Sequence, residues 1–172
     1  MSFLSRLLAP RPDPREQLRP LWHRIVALAR EPHWYAREGV ADTLPGRMDM
    51  IVAVLALVLL RIERDEELAP SAALLTELFV EDMDSQLRES GVGDLMVGKH
   101  VGKLMSVLGG RIGAMREGLA SADEAALTRA VERNFTLVRG TDPALLAAAL
   151  RKLHHAIGSL AADDLLEGRL PA

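Results

Sequence analysis

Residues 82 to 99 hold the side chains best placed by type and spacing to do chemistry: Asp82-Met-Asp84-Ser-Gln-Leu-Arg-Glu-Ser-Gly91-Val-Gly93-Asp94-Leu-Met-Val-Gly98-Lys99. Two carboxylates one residue apart suggest a metal chelate. Gly93 to Lys99 fits the G-x-x-x-x-G-K spacing of a phosphate loop. Carboxylates beside a glycine turn also suit a corner that binds another protein.

The elements that carry these residues decide among the readings. Lys99 is followed by His100, where a phosphate loop needs the Ser or Thr hydroxyl that holds magnesium. An amphipathic helix precedes the glycines where a strand is required, so no nucleotide site is expected. At about 100° per residue, Asp82 falls within the apolar stripe of Leu75, Phe79 and Met83, while Glu77, Glu81 and Asp84 fall opposite. Asp82 and Asp84 therefore face different ways and make a poor chelate. The outer carboxylates read as a solvated face or a docking face for a basic partner. Asp82, on the inner side, is expected to find a partner among Arg47, Lys99, Arg111, His23 or backbone N–H groups.

Past the turn, Asp94 can cap a helix on which Gly98, Gly102, Ser106, Gly110 and Ala114 recur every fourth residue, a ridge of small side chains flanked by Gly109 and Gly113. Each interior glycine costs about 1 kcal/mol relative to alanine. Close approach of another backbone can offset that. An internal contact with a helix of the same chain is the first expectation, and a groove for a helix from another molecule is the second. Lys99 and Lys103, one turn apart, would edge that groove.

The bulk numbers narrow the class. The chain has 172 residues, 49% hydrophobic and 26% charged, enough for one domain with a real core. Residues 1–47 carry 8 Arg against 5 acids, residues 48–99 carry 4 basic against 11 acidic side chains, and the remainder is nearly balanced. The net charge of −3 argues against nucleic acid as a bulk electrostatic partner. There is no cysteine, which excludes disulfides and thiolate chemistry. His23, His33, His100, His154 and His155 form no helical ligand pair, and serine and histidine spacing shows no nucleophile elbow. No metal, no cofactor and no enzymatic activity are expected.

The periodicity is helical throughout, with no alternating stretch, and predicts an all-α single-domain bundle of about six to seven helices. Residues 1–12 read as a flexible tail with the option of a brief amphipathic toe-hold on a membrane, and residues 13–172 as one helical domain. Asp13-Pro14 starts a helix expected to run to Arg30. Val40–Gly46 reads as a loop before a central apolar helix from Arg47 to about Arg64. Helices follow at about 70–90, 95–117, 121–138 and 143–160, with a short helical tail. The eleven-residue apolar run from Met50 to Leu60 is too short to span a bilayer, which needs about 20 residues.

Two blocks resemble the ubiquinol-cytochrome c chaperone family, the assembly factors of the respiratory bc complex. The first contains Leu21-Trp22, Trp34-Tyr35, Gly39-Val40-Ala-Asp42-Thr43 and Gly46-Arg47-Met-Asp49-Met50. The second runs from Asp82 through Asp94-Leu95 to Gly98-Lys99. The motif-level resemblance covers about residues 18 to 118 and leaves 119–172 as a helical extension. It implies a non-catalytic, all-α chaperone that binds newly made cytochrome b, or another bc-complex subunit, as a hydrophobic helical client. It also implies a role for Trp34, Tyr35, Asp42 and Arg47, and a partner corner made of Asp82, Asp84, Gly91, Gly93, Asp94, Gly98, Lys99, Gly102 and Lys103. A small partner chaperone and the ribosome are further expected partners. Cytoplasmic residence, with peripheral contact to the inner membrane, fits the Arg- and Ala-rich usage. The alternative is an adaptor that docks on ribosome or membrane through its Arg-rich N-terminal segment.

Overall fold

The computed structural model describes residues 13–89, 94–123 and 125–171, with side chains outside 87–100. The described chain opens on a 3-10 turn, Pro14–Leu18, capped by Asp13, whose carboxylate accepts from the Arg15 N–H at 2.9 Å. It passes into α1 (Arg19–Ala29). The single helix expected from Asp13 is divided because Pro20 has no N–H to give the carbonyl four residues back, so the first turn stays tight. Then come α2 (His33–Ala36), α3 (Leu44–Ile62), a 3-10 turn at Glu66–Leu68, and α4 (Ala69–Glu89). The rest is α5 (Asp94–Ala120), α6 (Ala125–Asn134), α7 (Pro143–Gly158) and α8 (Ala162–Leu166).

Among the described residues the architecture is an all-helical bundle without strands. Its axis is α3. Every side chain from Met50 to Leu60 is buried, because α1, α4, α5 and α7 surround this helix and leave it no polar face. The helix begins three residues earlier than expected. The Thr43 hydroxyl accepts from the Gly46 N–H at 3.3 Å, and Pro45 fits the first turn, where its missing N–H has no partner to lose. Gly46 is required there: a Cβ would stand 2.0 Å from the Ala41 carbonyl oxygen.

The C-terminal third belongs to the same core. Leu127, Val131, Leu146, Leu150, Leu153 and Ile157 are buried in one cluster with the α3 side chains. Leu165 and Leu170 close over α1, where Arg24 donates to the Pro171 carbonyl at 3.0 Å.

One departure from the expected helices holds the corner of the bundle. Helix α6 ends at Asn134 and does not reach Val138. Residues 136–138 are instead extended beside Gly39–Ala41. Val40 and Leu137 form an antiparallel bridge, Ala41 N–H donates to the Thr136 carbonyl, and Val138 N–H donates to the Gly39 carbonyl, both at 2.9 Å. Gly39, at φ +78°, takes a backbone shape that other residues rarely adopt. Below the bridge lies a buried charge pair. An Arg111 guanidinium nitrogen donates to Asp49 Oδ1 at 2.9 Å, Asp49 Oδ2 accepts from the Thr136 N–H at 2.8 Å, and the guanidinium carbon sits 4.4 Å from the Phe135 ring centre. Arg111 is 5% exposed.

Removing one member of such a pair leaves an uncompensated buried charge, which costs about 3–5 kcal/mol. Asp49→Ala is therefore expected to lower unfolding stability by that amount in urea titration, and a loss below 1 kcal/mol would show that the pair holds nothing.

Candidate protein-binding site

Helix α5 has two halves. From Leu108 onward one face is fixed: Leu108, Arg111, Met115 and Gly118 are buried against α3 and α6. Among the described glycines of this helix, Gly118 makes the close backbone approach, since a Cβ there would meet the Leu127 Cα at 2.9 Å. The remaining described glycines, Gly102, Gly109, Gly110 and Gly113, have nothing within 4 Å of a built Cβ. The internal helix contact expected for the ridge is therefore absent at these positions. Gly102, Ser106 and Gly110 are exposed, and so is Lys103.

Large apolar side chains stand among the open glycines. Met105 is 39% exposed and Val107 is 40% exposed. Val101 and Met105 are spaced i, i+4, an apolar signal that overlaps the periodic small residues. Between α4 and the N-terminal half of α5 lies an open cleft of about 570 Å³. Val80, Val101 and Met105 supply its apolar part, and Glu77, Glu81, Asp84 and Arg15 its charged part. Arg15 reaches Glu81 at 2.8 Å and is held more firmly by Asp13, at 2.5 Å. The hydrogen bonds from the Arg15 side chain and N–H lower the Asp13 pKa to about 2.

Asp82 and Asp84 do face different ways. Asp82 is half-buried on the other side of α4, in a cleft of about 420 Å³ with Trp22, His23, Arg30 and Glu81. The ion pair expected for it is not formed by the named arginines: Arg111 goes to Asp49, and Arg47 pairs with Asp42 at 2.6 Å. Partly open to solvent, the Asp82 carboxylate keeps enough hydration not to need one. Gly91 and Gly93 lie outside the described residues, as do the side chains of Asp94 and Lys99, while Asp94, Gly98 and Lys99 stand on α5.

The other family-motif residues serve the α1–α3 connection. Trp34 is buried, its indole N–H donating to the Leu28 carbonyl at 2.7 Å. The Tyr35 hydroxyl donates to the Ala29 carbonyl at 2.8 Å, and burial raises its pKa. Tyr35, Asp42 and Arg47 share a surface hollow with Arg30 and Pro32. The hydrogen bond from Arg47 lowers the Asp42 pKa. These bonds fix the turn after α1. Trp34 thus acts in the core, away from the α4–α5 cleft.

Among the described residues no group of three or more His, Asp or Glu side chains gathers as a metal site, and no helix is long and apolar enough to cross a membrane. Among the described residues, the all-helical bundle leaves an apolar, glycine-lined face of α5 open beside acidic side chains.

A model of the ubiquinol-cytochrome C chaperone family matches residues 37–172. The crystal structure of the Cbp3 homolog from Brucella abortus superposes with a TM-score of 0.78 at 30% identity, covering 90% of this chain and 87% of that one. Comparison with curated proteins gave no match. The chain belongs to the ubiquinol-cytochrome c chaperone family, and the matched stretch takes in residues 119–172, which the motif-level resemblance leaves aside.

The two classes of α5 glycine separate by substitution. Gly102→Ala and Gly110→Ala are each expected to raise stability by up to about 1 kcal/mol, through helix propensity alone. Gly118→Ala is expected to lower it by about 1–3 kcal/mol, through overpacking against Leu127. Thermal unfolding of the three variants checks both signs.

At the far end of α3, His154 and Arg64 carry a pH dependence. Burial, and next the charge of Arg64, lower the His154 pKa below its ordinary value of 6.5. An Arg64 guanidinium nitrogen lies 2.9 Å from His154 Nε2, so that ring nitrogen accepts and is unprotonated. The unfolded chain binds this proton more readily than the folded one. Stability from this group is thus complete above about pH 6.5 and falls as pH drops through the folded value. The urea midpoint is expected to decrease between pH 7.5 and 5.5, and His154→Gln to flatten that decrease.

Proposed function

We propose that this chain is a non-enzymatic assembly chaperone whose α5 face and α4–α5 cleft hold a hydrophobic helix of a newly made bc-complex subunit, cytochrome b first among them. The observation that carries the reading is the open glycine face. Glycines inside a long helix lower its stability, and at Gly102, Gly109, Gly110 and Gly113 no contact among the described residues offsets the loss. An incoming helix can bring its backbone close to such a face, gaining dispersion contacts that side chains would otherwise prevent. Met105 and Val107 add apolar area, and Asp84 lines the cleft. Family membership supports the client class.

On this reading residues 13–172 act as one helical domain. Cytoplasmic residence at the inner membrane is where a client of this kind is made, and a small partner chaperone or the ribosome can share the task.

Cross-linking followed by affinity capture of the full chain tests the idea. Bc-complex subunits should be enriched, and deletion of the chain should lower bc-complex levels. If neither happens, the reading fails. Gly102→Leu with Gly110→Leu narrows the test. The new side chains project into open space, so thermal stability should be kept while client capture drops at least tenfold. Unchanged capture would remove the glycine face from the proposal.

A further inference from the structure

A cleft of about 330 Å³ opens where the C-terminal ends of α3 and α5 meet the second half of α7. Leu60 and Leu119 give it an apolar floor, and Arg64, Arg116 and His154 line it with groups that can donate to an anion. One carboxylate stands among them, Glu63, and Arg116 engages it at 2.6 Å. Arg64 has no ion pair among the described residues. Its guanidinium is nevertheless held in place. It lies 2.9 Å from His154 Nε2, and so close to Gly158 that a Cβ there would stand 3.2 Å from Nη1. The end of α3 does not need this charge, because the Leu59 and Arg61 carbonyls already accept from the Glu63 and Arg64 N–H groups. The charged groups that act on His154 are Arg64, beyond α3, and His155 and Arg151 on α7, all of them basic; Arg116, from α5, lines the same cleft. With Glu63 already engaged, the cleft is left net positive. A carboxylate has two oxygens in one plane, which a single guanidinium satisfies. Donors arriving from three elements suit the tetrahedral oxygens of a phosphate.

We propose that this cleft binds a phosphate group, carried by a soluble ester or by a lipid headgroup, with Arg64 and Arg116 on its oxygens and the His154 imidazole as a third donor. Without the anion, His154 Nε2 accepts from Arg64. A phosphate that takes over this guanidinium leaves Nε2 able to bind a proton and donate it to another oxygen. The imidazole then holds its proton more readily in the complex than in the free chain, so binding takes up a proton and tightens as pH falls. The site lies at the fixed end of α5 and does not depend on what the client is.

Isothermal titration of the full chain with inorganic phosphate and with phenyl phosphate tests the site. Both should bind, and Arg64→Gln and Arg116→Gln should each weaken binding about tenfold. Glu63→Gln should instead tighten it about threefold, because Arg116 is released to the anion, a gain that a merely structural role does not give. Arg129→Gln, on α6 and paired with Asp123, is the control and should change nothing. Sulfate keeps its charge between pH 7.5 and 5.5, so tighter sulfate binding at the lower pH isolates the imidazole and should vanish in His154→Gln. If the soluble phosphates do not bind but phosphatidic acid vesicles do, with the same dependence on Arg64 and Arg116, the phosphate site is upheld and its source is the lipid. The proposal is overturned if no phosphate source binds, if Arg64→Gln and Arg116→Gln bind like the parent chain, or if acetate binds as tightly as phosphate. The substituted side chains are exposed or half-buried, and unchanged circular dichroism confirms that the fold is kept.

Discussion

The buried pair of Asp49 and Arg111 is the constraint on which the rest of the bundle depends. A carboxylate and a guanidinium taken out of water must satisfy each other and every remaining polar atom. Asp49 sits on α3 and Arg111 on α5, so the pair sets how these helices cross. The second carboxylate oxygen takes the Thr136 N–H, and the guanidinium faces Phe135, which draws in the connection between α6 and α7. That connection then pairs with Gly39–Ala41 and fixes the turn into α3. Four separate pieces of chain thus meet around one charge pair.

The same pair explains why α5 has two characters. Below Arg111 the helix is held by Met115 and by the backbone approach at Gly118, where α6 crosses. Above it the helix has α4 on one side, and among the described residues nothing covers Gly102, Gly109 or Gly110. A long helix anchored at one end and open at the other can offer a face without losing its place in the fold.

Much of this was legible in the residues, for local reasons. The Asp13 cap, the continuous apolar run of α3 and the opposed directions of Asp82 and Asp84 follow from spacing alone. The family resemblance rested on short motifs, and the wider match bears it out. What was not legible depended on partners distant in sequence. Thr136 and Val138 extend a helical pattern until Asp49 and Gly39 capture them. Asp82 lies on the inner face of its helix, yet the gap between α1 and α4 leaves it partly wet. Small residues every fourth position look the same whether another helix covers them or none does. Among the described glycines of α5 Gly118 is the one covered closely, and nothing in its own neighbourhood marks it out from Gly110.

The bond from Thr136 to Asp49 spans 87 residues. It imposes an order on biosynthesis. While the ribosome is still making α4, Asp49 has neither Arg111 nor Thr136 to meet, and the turn at Gly39 lacks the extended segment 136–138 that pins it. The N-terminal corner therefore cannot settle until the α6–α7 connection has emerged. A protein read as a guardian of unfinished chains is itself unfinished, for most of its own synthesis, at the corner that later holds it together.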